Sequence, residues 1–268
     1  WIKSRDESTG NNHNVFDAVR GATVGLQTND DDGEYTASSV HESFDTDGFT
    51  LGDNGQVNGS SEKFVSWNWL AGGTAPAITY VVKVVSDSGN KYRFDDFGTS
   101  AVTLDLQEGG TYTFDQSDSS NATHPLRFYT ASDKSGGEYT TGVTTTGTPG
   151  SAGAKTVITV AASAPTLYYQ CSSHSAMGGQ ANTNSTFGSS NFSGSIQSTV
   201  STNTTAGFSI VTRTGTASAA TIGHGLSSTP KLIITKMRNA TESWGVYHVG
   251  TGNTKYFKFD TNEGEASS

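Results

Sequence analysis

Short segments of alternating apolar and polar residues recur at regular intervals between residues 76 and 180, and they constrain the fold more than any other feature. They are separated by turn-forming Gly, Ser, Asn and Asp. Strands at such spacing are typical of a β-sandwich. The seven predicted strands are Ala77–Val85, Lys91–Phe94, Ala101–Leu106, Thr111–Phe114, Leu126–Thr130, Lys155–Ala161 and Thr166–Gln170.

The rest of the chain also consists of short alternating segments between turn-forming residues, so the whole protein is predicted to be all-β. Its 268 residues include 32 glycines but only five prolines, and few stretches show helical periodicity. Thirteen Phe, ten Tyr and four Trp supply enough bulk to fill thin sandwich cores. We therefore expect several β-sandwich domains.

Composition argues against several functional classes. The net charge is −9 and the basic residues are scattered, whereas a nucleic-acid-binding face needs clustered Lys and Arg. No run of about 20 apolar residues is present, so membrane insertion is not expected. No Gly-x-Ser-x-Gly elbow supports a hydrolase, and the protein is predicted not to be an enzyme. The chain starts at Trp1 without Met or a signal-type segment, which suggests a piece of a longer protein.

Changes in composition and in the pattern of strand-like segments divide the chain into four regions. The last region contains its own strand-like segments Phe208–Thr212, Lys231–Thr235 and Lys255–Phe259. The third region is rich in Ser, Thr and Asn and is predicted to be a linker or a loose strand. The predicted regions are a β module (1–75), a central domain (76–180), the linker (181–206) and a partial β module (207–268).

The two ends of the chain show a weak internal repeat. Trp1 aligns with Ile234 and Leu26 aligns with Phe259, both at an offset of 233 residues. A fixed period is the usual signature of repeat architectures. On this hypothesis the first region lacks its opening strands and the last region is the opening half of a second copy. Either the chain is one period of a longer array, or its last segment completes the first module in space, within one chain or between subunits.

The one cysteine of the chain lies in a sequence that resembles a set of metal ligands. Cys171 is followed three residues later by His174 and three further on by Met177. A thiolate, an imidazole and a thioether suit copper when a second imidazole completes the set, and His124 is the candidate. Zinc is an alternative, although Met is a poor zinc ligand. A second alternative is a domain that binds no copper, in which Cys171 is a small buried residue.

Two acidic segments, 30–34 and 45–48, superficially suggest calcium loops. Neither has the glutamate at the twelfth loop position nor the full oxygen spacing of an EF-hand. We interpret both as solvated turns, and calcium is not an expected ligand.

Motifs in both flanking regions carry a resemblance to a known type of module. In the first region they are Trp1–Arg5, Val19–Ala22, Phe44–Gly52 and Phe64–Trp69, and in the last they are Gly207–Val211, Gly223–Leu226 and Pro230–Ile234. These stretches, about half of the chain, resemble β-sandwich modules of tailed-phage structural proteins, of the kind found in tail fibres and appendages of marine phages. The resemblance implies a structural role and assigns no functional residues.

The central region, with a ligand loop at a strand end and a distant histidine upstream, is similar to the cupredoxins. Its Cys-x2-His-x2-Met spacing resembles the shortest ligand loop of that family. The resemblance implies a Greek-key sandwich over 76–180 and a type 1 copper site formed by His124, Cys171, His174 and Met177. Many cupredoxins use the N–H of the residue after the first histidine as a donor to the thiolate, but here that residue is Pro125, which has no N–H. This change is expected to alter the redox potential without preventing copper binding.

Together these patterns predict a non-enzymatic structural protein of a virion surface or another extracellular assembly, as a fibre, spike or decoration. Self-association and contact with host-surface glycans are the expected partnerships, and copper is expected to have a structural role. One alternative is a blue-copper electron-transfer protein anchored by β modules. The other is a carbohydrate-binding module of a cellular surface protein.

Overall fold

The computed structural model of the protein describes residues 1–4, 10–70, 75–183 and 187–267. Arg5, which closes the first module motif, lies outside these residues. The chain divides into two compact units, one formed by Trp1–Trp69 with Leu226–Ser268 and the other by Leu70–Gly225. Strands account for nearly all regular structure, which confirms the all-β prediction. No helix among the described residues is long and apolar enough to cross a membrane.

The elements alternate with short turns along the chain. The first 69 residues contain β1 (Ile2–Ser4), β2 (Asn14–Asp17), β3 (Gly21–Gln27), β4 (Tyr35–Thr36), β5 (His41–Asp45), β6 (Gly48–Leu51), α1 (Gly55–Asn58) and β7 (Phe64–Ser66). The second unit contains β8 (Ala77–Ser86), β9 (Asn90–Phe94), β10 (Leu104–Asp105), β11 (Thr111–Asp115), a 3-10 turn (Ser119–Asn121), β12 (Leu126–Tyr129), β13 (Val143–Thr146), β14 (Lys155–Thr159), β15 (Leu167–Cys171), β16 (Gln180–Asn182), β17 (Ser189–Asn191), β18 (Ser198–Asn203) and β19 (Phe208–Arg213). The remaining strands are β20 (Leu232–Thr235), β21 (Gly245–His248), β22 (Lys255–Lys258) and β23 (Ala266–Ser267).

The second unit is a β-sandwich built around an aromatic core. Its three sheets have the strand orders β13-β14-β11-β8-β9, β10-β16-β15-β12 and β17-β18-β19. Alternate residues of β11 are buried, because successive side chains of a strand point to opposite faces of the sheet. The rings of Phe94 and Phe114 are 5.6 Å apart in an edge-to-face arrangement within this core. Each of the seven predicted segments contains a strand, which confirms the prediction for this region.

The segment predicted as a linker, 181–206, has a different structure, since it contains β17, β18 and the end of β16. The hydroxyl of Tyr80 donates to the backbone oxygen of Ser190 at 2.8 Å, and the hydroxyls of Tyr112 and Ser189 lie 2.6 Å apart. Phe192 is buried against the main core. Small polar side chains here serve as partners for buried tyrosines, a role that apolar periodicity does not reveal. The predicted boundary at residue 207 is also not a boundary between the units, because β19 pairs along its whole length with β18.

The first unit contains a sheet of order β4-β3-β2-β1-β7, the hairpin β5-β6 and a second sheet of order β20-β21-β22-β23. Its small core comprises Ile2, Phe16, Val40 and Val57.

Residues from the two ends of the chain bond directly to one another within the first unit. The backbone N–H of Glu34 donates to the backbone oxygen of Arg238 at 2.6 Å. The indole N–H of Trp244 donates to the backbone oxygen of Gln27 at 2.8 Å. The segments aligned by the sequence repeat form the same antiparallel meander, β1-β2-β3 in one copy and β20-β21-β22 in the other. The last segment thus packs with the first within one chain, as one of the arrangements left open by the repeat requires.

A buried histidine in the first unit makes its stability sensitive to pH. His41 is 2% exposed, and its ring stacks on Phe16 and Phe49 with centroid distances of 4.8 and 5.7 Å. Burial lowers the pKa of His41 below its usual value of 6.5. The unfolded chain therefore binds the additional proton first as pH falls. The contribution to stability is fully present above about pH 6.5 and is lost as pH falls towards the lower pKa of the folded state.

We expect the free energy of unfolding of the first unit to decrease as pH falls below about 6.5, with a slope from this residue of at most about 1.4 kcal/mol per pH unit. Tryptophan fluorescence reports this unit specifically, because all four tryptophans lie in it. Urea titrations between pH 7.5 and 5 should show a smaller slope for His41→Phe than for the wild type. Equal slopes would contradict the prediction.

Candidate metal site

The four predicted ligands come from two neighbouring strand ends of the second unit. Cys171 is the last residue of β15 and continues the inward-facing series of Leu167 and Tyr169. β12 pairs antiparallel with β15 so that Leu126 lies opposite Cys171. This register brings His124, two residues before Leu126, next to a cysteine 47 positions away in sequence.

Three ligand atoms converge in this corner. The Sγ of Cys171 lies 3.9 Å from Nδ1 of His124 and 3.4 Å from Nδ1 of His174. One ring nitrogen of each histidine and the sulfur of Cys171 all lie within 4.8 Å of one another. Metal–sulfur bonds of about 2.3 Å and metal–nitrogen bonds of about 2.0 Å, at tetrahedral to trigonal angles, would separate the sulfur from each nitrogen by roughly 3.5–3.7 Å. The donor set therefore fits a single transition-metal ion.

Three of the four candidate ligands are buried and one is exposed. Cys171 and Met177 are almost completely inaccessible and His124 is 9% exposed, whereas His174 lies at the surface. Met177 and His174 line the same open pocket, together with Asn90. Met177 therefore borders the same pocket as the imidazole of the loop.

Burial and a neighbouring histidine keep His124 suited to metal binding. Burial, and then the nearby His174, lower the pKa of His124 below its usual value. Metals bind the neutral imidazole, so a lower pKa extends binding to lower pH. The Nε2 of His124 lies 3.4 Å from the side-chain nitrogen of Asn90, which leaves Nδ1 directed towards Cys171.

Two buried side chains hold the backbone of His124 in place. The hydroxyl of Tyr92 and the side-chain nitrogen of Gln116 both donate to the backbone oxygen of His124 at 2.9 Å. Burial, and then the nearby Cys171, raise the pKa of Tyr92, so the phenol keeps its proton. Tyr92 also lies beside the thiol, but its proton is donated to the backbone oxygen of His124 and does not replace the N–H that Pro125 lacks. No pattern in the linear sequence marks Tyr92 or Gln116 as part of the site.

The acidic segment 30–34 contacts a lysine of the chain. The carboxylates of Asp30, Asp31 and Asp32 approach within 4.8 Å of one another. However, the ammonium group of Lys236 donates to the backbone oxygens of Asp31 and Met237 at 3.0 and 2.8 Å. A cation of the chain itself thus already neutralises part of this turn.

The comparisons with known proteins identify a family and no function. A family model described as a domain of unknown function, DUF7483, matches residues 1–114 and 180–268. The four predicted ligands lie between these two stretches. No curated protein and no solved structure was found to match the chain. Because the model covers more than half of its residues, the chain belongs to the DUF7483 family.

Proposed function

We propose that the second unit binds one copper ion through His124, Cys171, His174 and Met177. The observation that supports this proposal is the convergence of the thiol and two Nδ1 atoms at distances of 3.4 and 3.9 Å. A copper ion with these ligands supplies a one-electron redox couple and ties the ligand loop to the segment before β12. The buried thioether favours copper over zinc, since Met is a poor zinc ligand.

The direct test is metal analysis of the purified protein after it has been given copper and desalted. We expect one copper per chain and intense blue absorption of the oxidised form. Zinc supplied in equal amount should not displace the copper. A protein that stays colourless and retains no copper would refute the proposal.

Around this site we propose a non-enzymatic structural protein on a virion or another extracellular surface. The resemblance of the flanking regions to phage appendage modules supports this role, as does the construction of both units from sheets. An array of β modules gives reach and repeated display, so that weak individual contacts can hold a host surface by avidity. Electron microscopy of intact particles with antibodies against the chain would test this location.

Electron transfer is the second candidate function, and the exposure of His174 favours it. A surface ligand next to the buried Cys171 offers a short path between the metal and a redox partner. Reversible redox cycling of the copper form, lost in Cys171→Ser without change in assembly, would support this function over a structural role for the metal.

Exposed tryptophans favour glycan contact as part of either surface role. Trp67 and Trp69 are 43% and 55% exposed near β7, and flat aromatic rings provide an apolar surface that keeps one edge accessible to polar groups. A glycan array probed with the assembled protein should give hits that Trp69→Ala weakens. An array without hits would count against glycan recognition.

Strand β20 supports the proposal that the protein self-associates. All four of its residues are exposed, including Leu232, Ile233 and Ile234, and among the described strands it pairs only with β21. An exposed apolar strand at a sheet edge readily pairs with another chain. We therefore expect the wild type to exceed the 28.0 kDa monomer mass in light scattering.

Ile233→Lys should return the protein to the monomer, because a charge on the edge strand opposes strand pairing. The matched control is Val249→Lys, a change at a residue that is 52% exposed but lies outside the strands. Monomeric wild type, or equal effects of both variants, would refute association through β20.

A further inference from the structure

We propose that Lys134 is a positioning residue for the metal-binding loop, an inference that rests on the copper function proposed above. Its Nζ atom donates to the backbone oxygens of Cys171 at 3.1 Å, Ser172 at 3.3 Å and His174 at 3.2 Å. Two of these oxygens belong to predicted ligands and the third to one of the two residues between them. One ammonium group thus contacts the part of the loop that carries the thiol and the exposed imidazole.

The chemistry of the ammonium group matches this arrangement of carbonyls. Lysine has three N–H donors and no acceptor, so three backbone oxygens use its full donor capacity. Hydrogen bonds from a charged donor are stronger than those between neutral groups. Without the ammonium, three carbonyl dipoles would converge on an empty space, and the loop would relax outwards.

Lys134 complements contacts at both ends of the loop. At the start of the loop, the backbone N–H of Ser172 donates to the backbone oxygen of Pro125 at 3.0 Å. At its end the side-chain oxygen of Gln170 accepts from the backbone N–H groups of Met177 and Gly178, both at 3.1 Å. Lys134 is therefore the contact that reaches the carbonyl of His174, between these two fixed ends.

The segment that carries Lys134 is itself held in a tight turn. Lys134 has a φ of +69°, its N–H donates to Ala131 at 3.0 Å, and its oxygen accepts from Gly137 at 3.1 Å. The hydroxyl of Thr130 closes the same turn on Gly136 at 2.8 Å. The side chain therefore extends from a fixed base, as a positioning role requires.

Two effects on the metal site follow. The loop is shaped before the metal arrives, which lowers the ordering cost of binding. The positive charge beside the loop also favours the metal oxidation state of lower charge, because it repels the more highly charged ion more strongly. Lys134 should therefore strengthen copper binding and raise the redox potential of the site.

Three variants separate these effects. Lys134→Met removes the charge and the donors, whereas Lys134→Arg keeps the charge but has a planar fork that does not match three converging oxygens. Lys155→Met is the matched control, because it removes an exposed lysine from β14 in the opposite sheet. The measurements are Cu(I) affinity by competition with a chromogenic chelator, redox potential, and amide hydrogen exchange of residues 172–176 in metal-free protein.

For Lys134→Met we expect a loss of copper affinity of about 10- to 100-fold and a lower redox potential. Exchange of the loop amides in metal-free protein should accelerate by about tenfold or more. Lys134→Arg should accelerate exchange with a smaller change of potential, and Lys155→Met should match the wild type.

The outcomes also separate this inference from the proposed copper function. If the wild type binds copper and Lys134→Met equals it in affinity, potential and exchange, the positioning role is overturned. If the wild type binds no copper, the copper function fails, and exchange in metal-free protein still decides whether Lys134 holds the loop. Unchanged circular dichroism and melting of the second unit would exclude general unfolding as the cause of a difference.

Discussion

Replacing Cys171 with serine should abolish copper binding, with a loss of affinity of several orders of magnitude and loss of the blue absorption. A serine hydroxyl remains protonated at neutral pH and is a hard ligand, whereas the site depends on a soft thiolate. Copper at a thousandfold excess over its dissociation constant stabilises the protein that binds it by about 4.1 kcal/mol. Calorimetry with and without copper should therefore show a stabilised wild type and an unchanged Cys171→Ser variant.

A second variant controls for damage to the core, because Cys171 is fully buried and an unpaired hydroxyl there costs about 1–3 kcal/mol. His174 lies at the surface, so His174→Ala should lose copper while it keeps the stability of the metal-free fold. His248→Ala removes another exposed histidine, in the other unit, and should bind copper normally. Wild-type affinity in either ligand variant would disprove the assigned ligand set.

Trp244→Ala should destabilise the first unit by about 3–5 kcal/mol, the usual cost of truncating a large buried aromatic side chain. Trp244 is 6% exposed, and its indole N–H lies 2.8 Å from the backbone oxygen of Gln27 and 3.2 Å from that of Asp30. The change removes packing volume and a donor that joins residues from the two ends of the chain. The loss is a large fraction of the roughly 5–15 kcal/mol that stabilises a typical domain.

Urea unfolding followed by the fluorescence of the remaining tryptophans measures this loss. Trp244→Phe keeps much of the ring volume but removes the indole donor, so it should cost less than the alanine variant. Trp69→Ala is the control, because Trp69 is 55% exposed and its truncation should cost about 1 kcal/mol or less. Equal effects of Trp244→Ala and Trp69→Ala would contradict the assembly of the first unit from both chain ends.

The strands of the central domain could be predicted because their burial alternates with the side-chain period of two. In β11 the buried residues are Tyr112 and Phe114, and the residues between them face outwards. Such a pattern is local and can be read without knowing which strands pair. The segment 181–206 was predicted differently because its contribution is polar. Ser189 and Ser190 are buried, where they form hydrogen bonds with tyrosines and with the β10 backbone. Hydrophobic periodicity does not indicate this role.

The sequence by its local patterns indicated that the chain is built from strands, and it predicted a thiol, an imidazole and a thioether as candidate ligands at and after the end of β15. Both follow from local rules, since alternation defines a strand and neighbouring candidate ligands of one loop lie three positions apart. The folded chain, and no local pattern, places His124 3.9 Å from Cys171, brings Lys134 to the candidate ligand loop and joins Trp244 to Gln27 by a hydrogen bond. These contacts join residues 37 to 217 positions apart. They depend on strand register and on packing of the whole core, which no local pattern encodes.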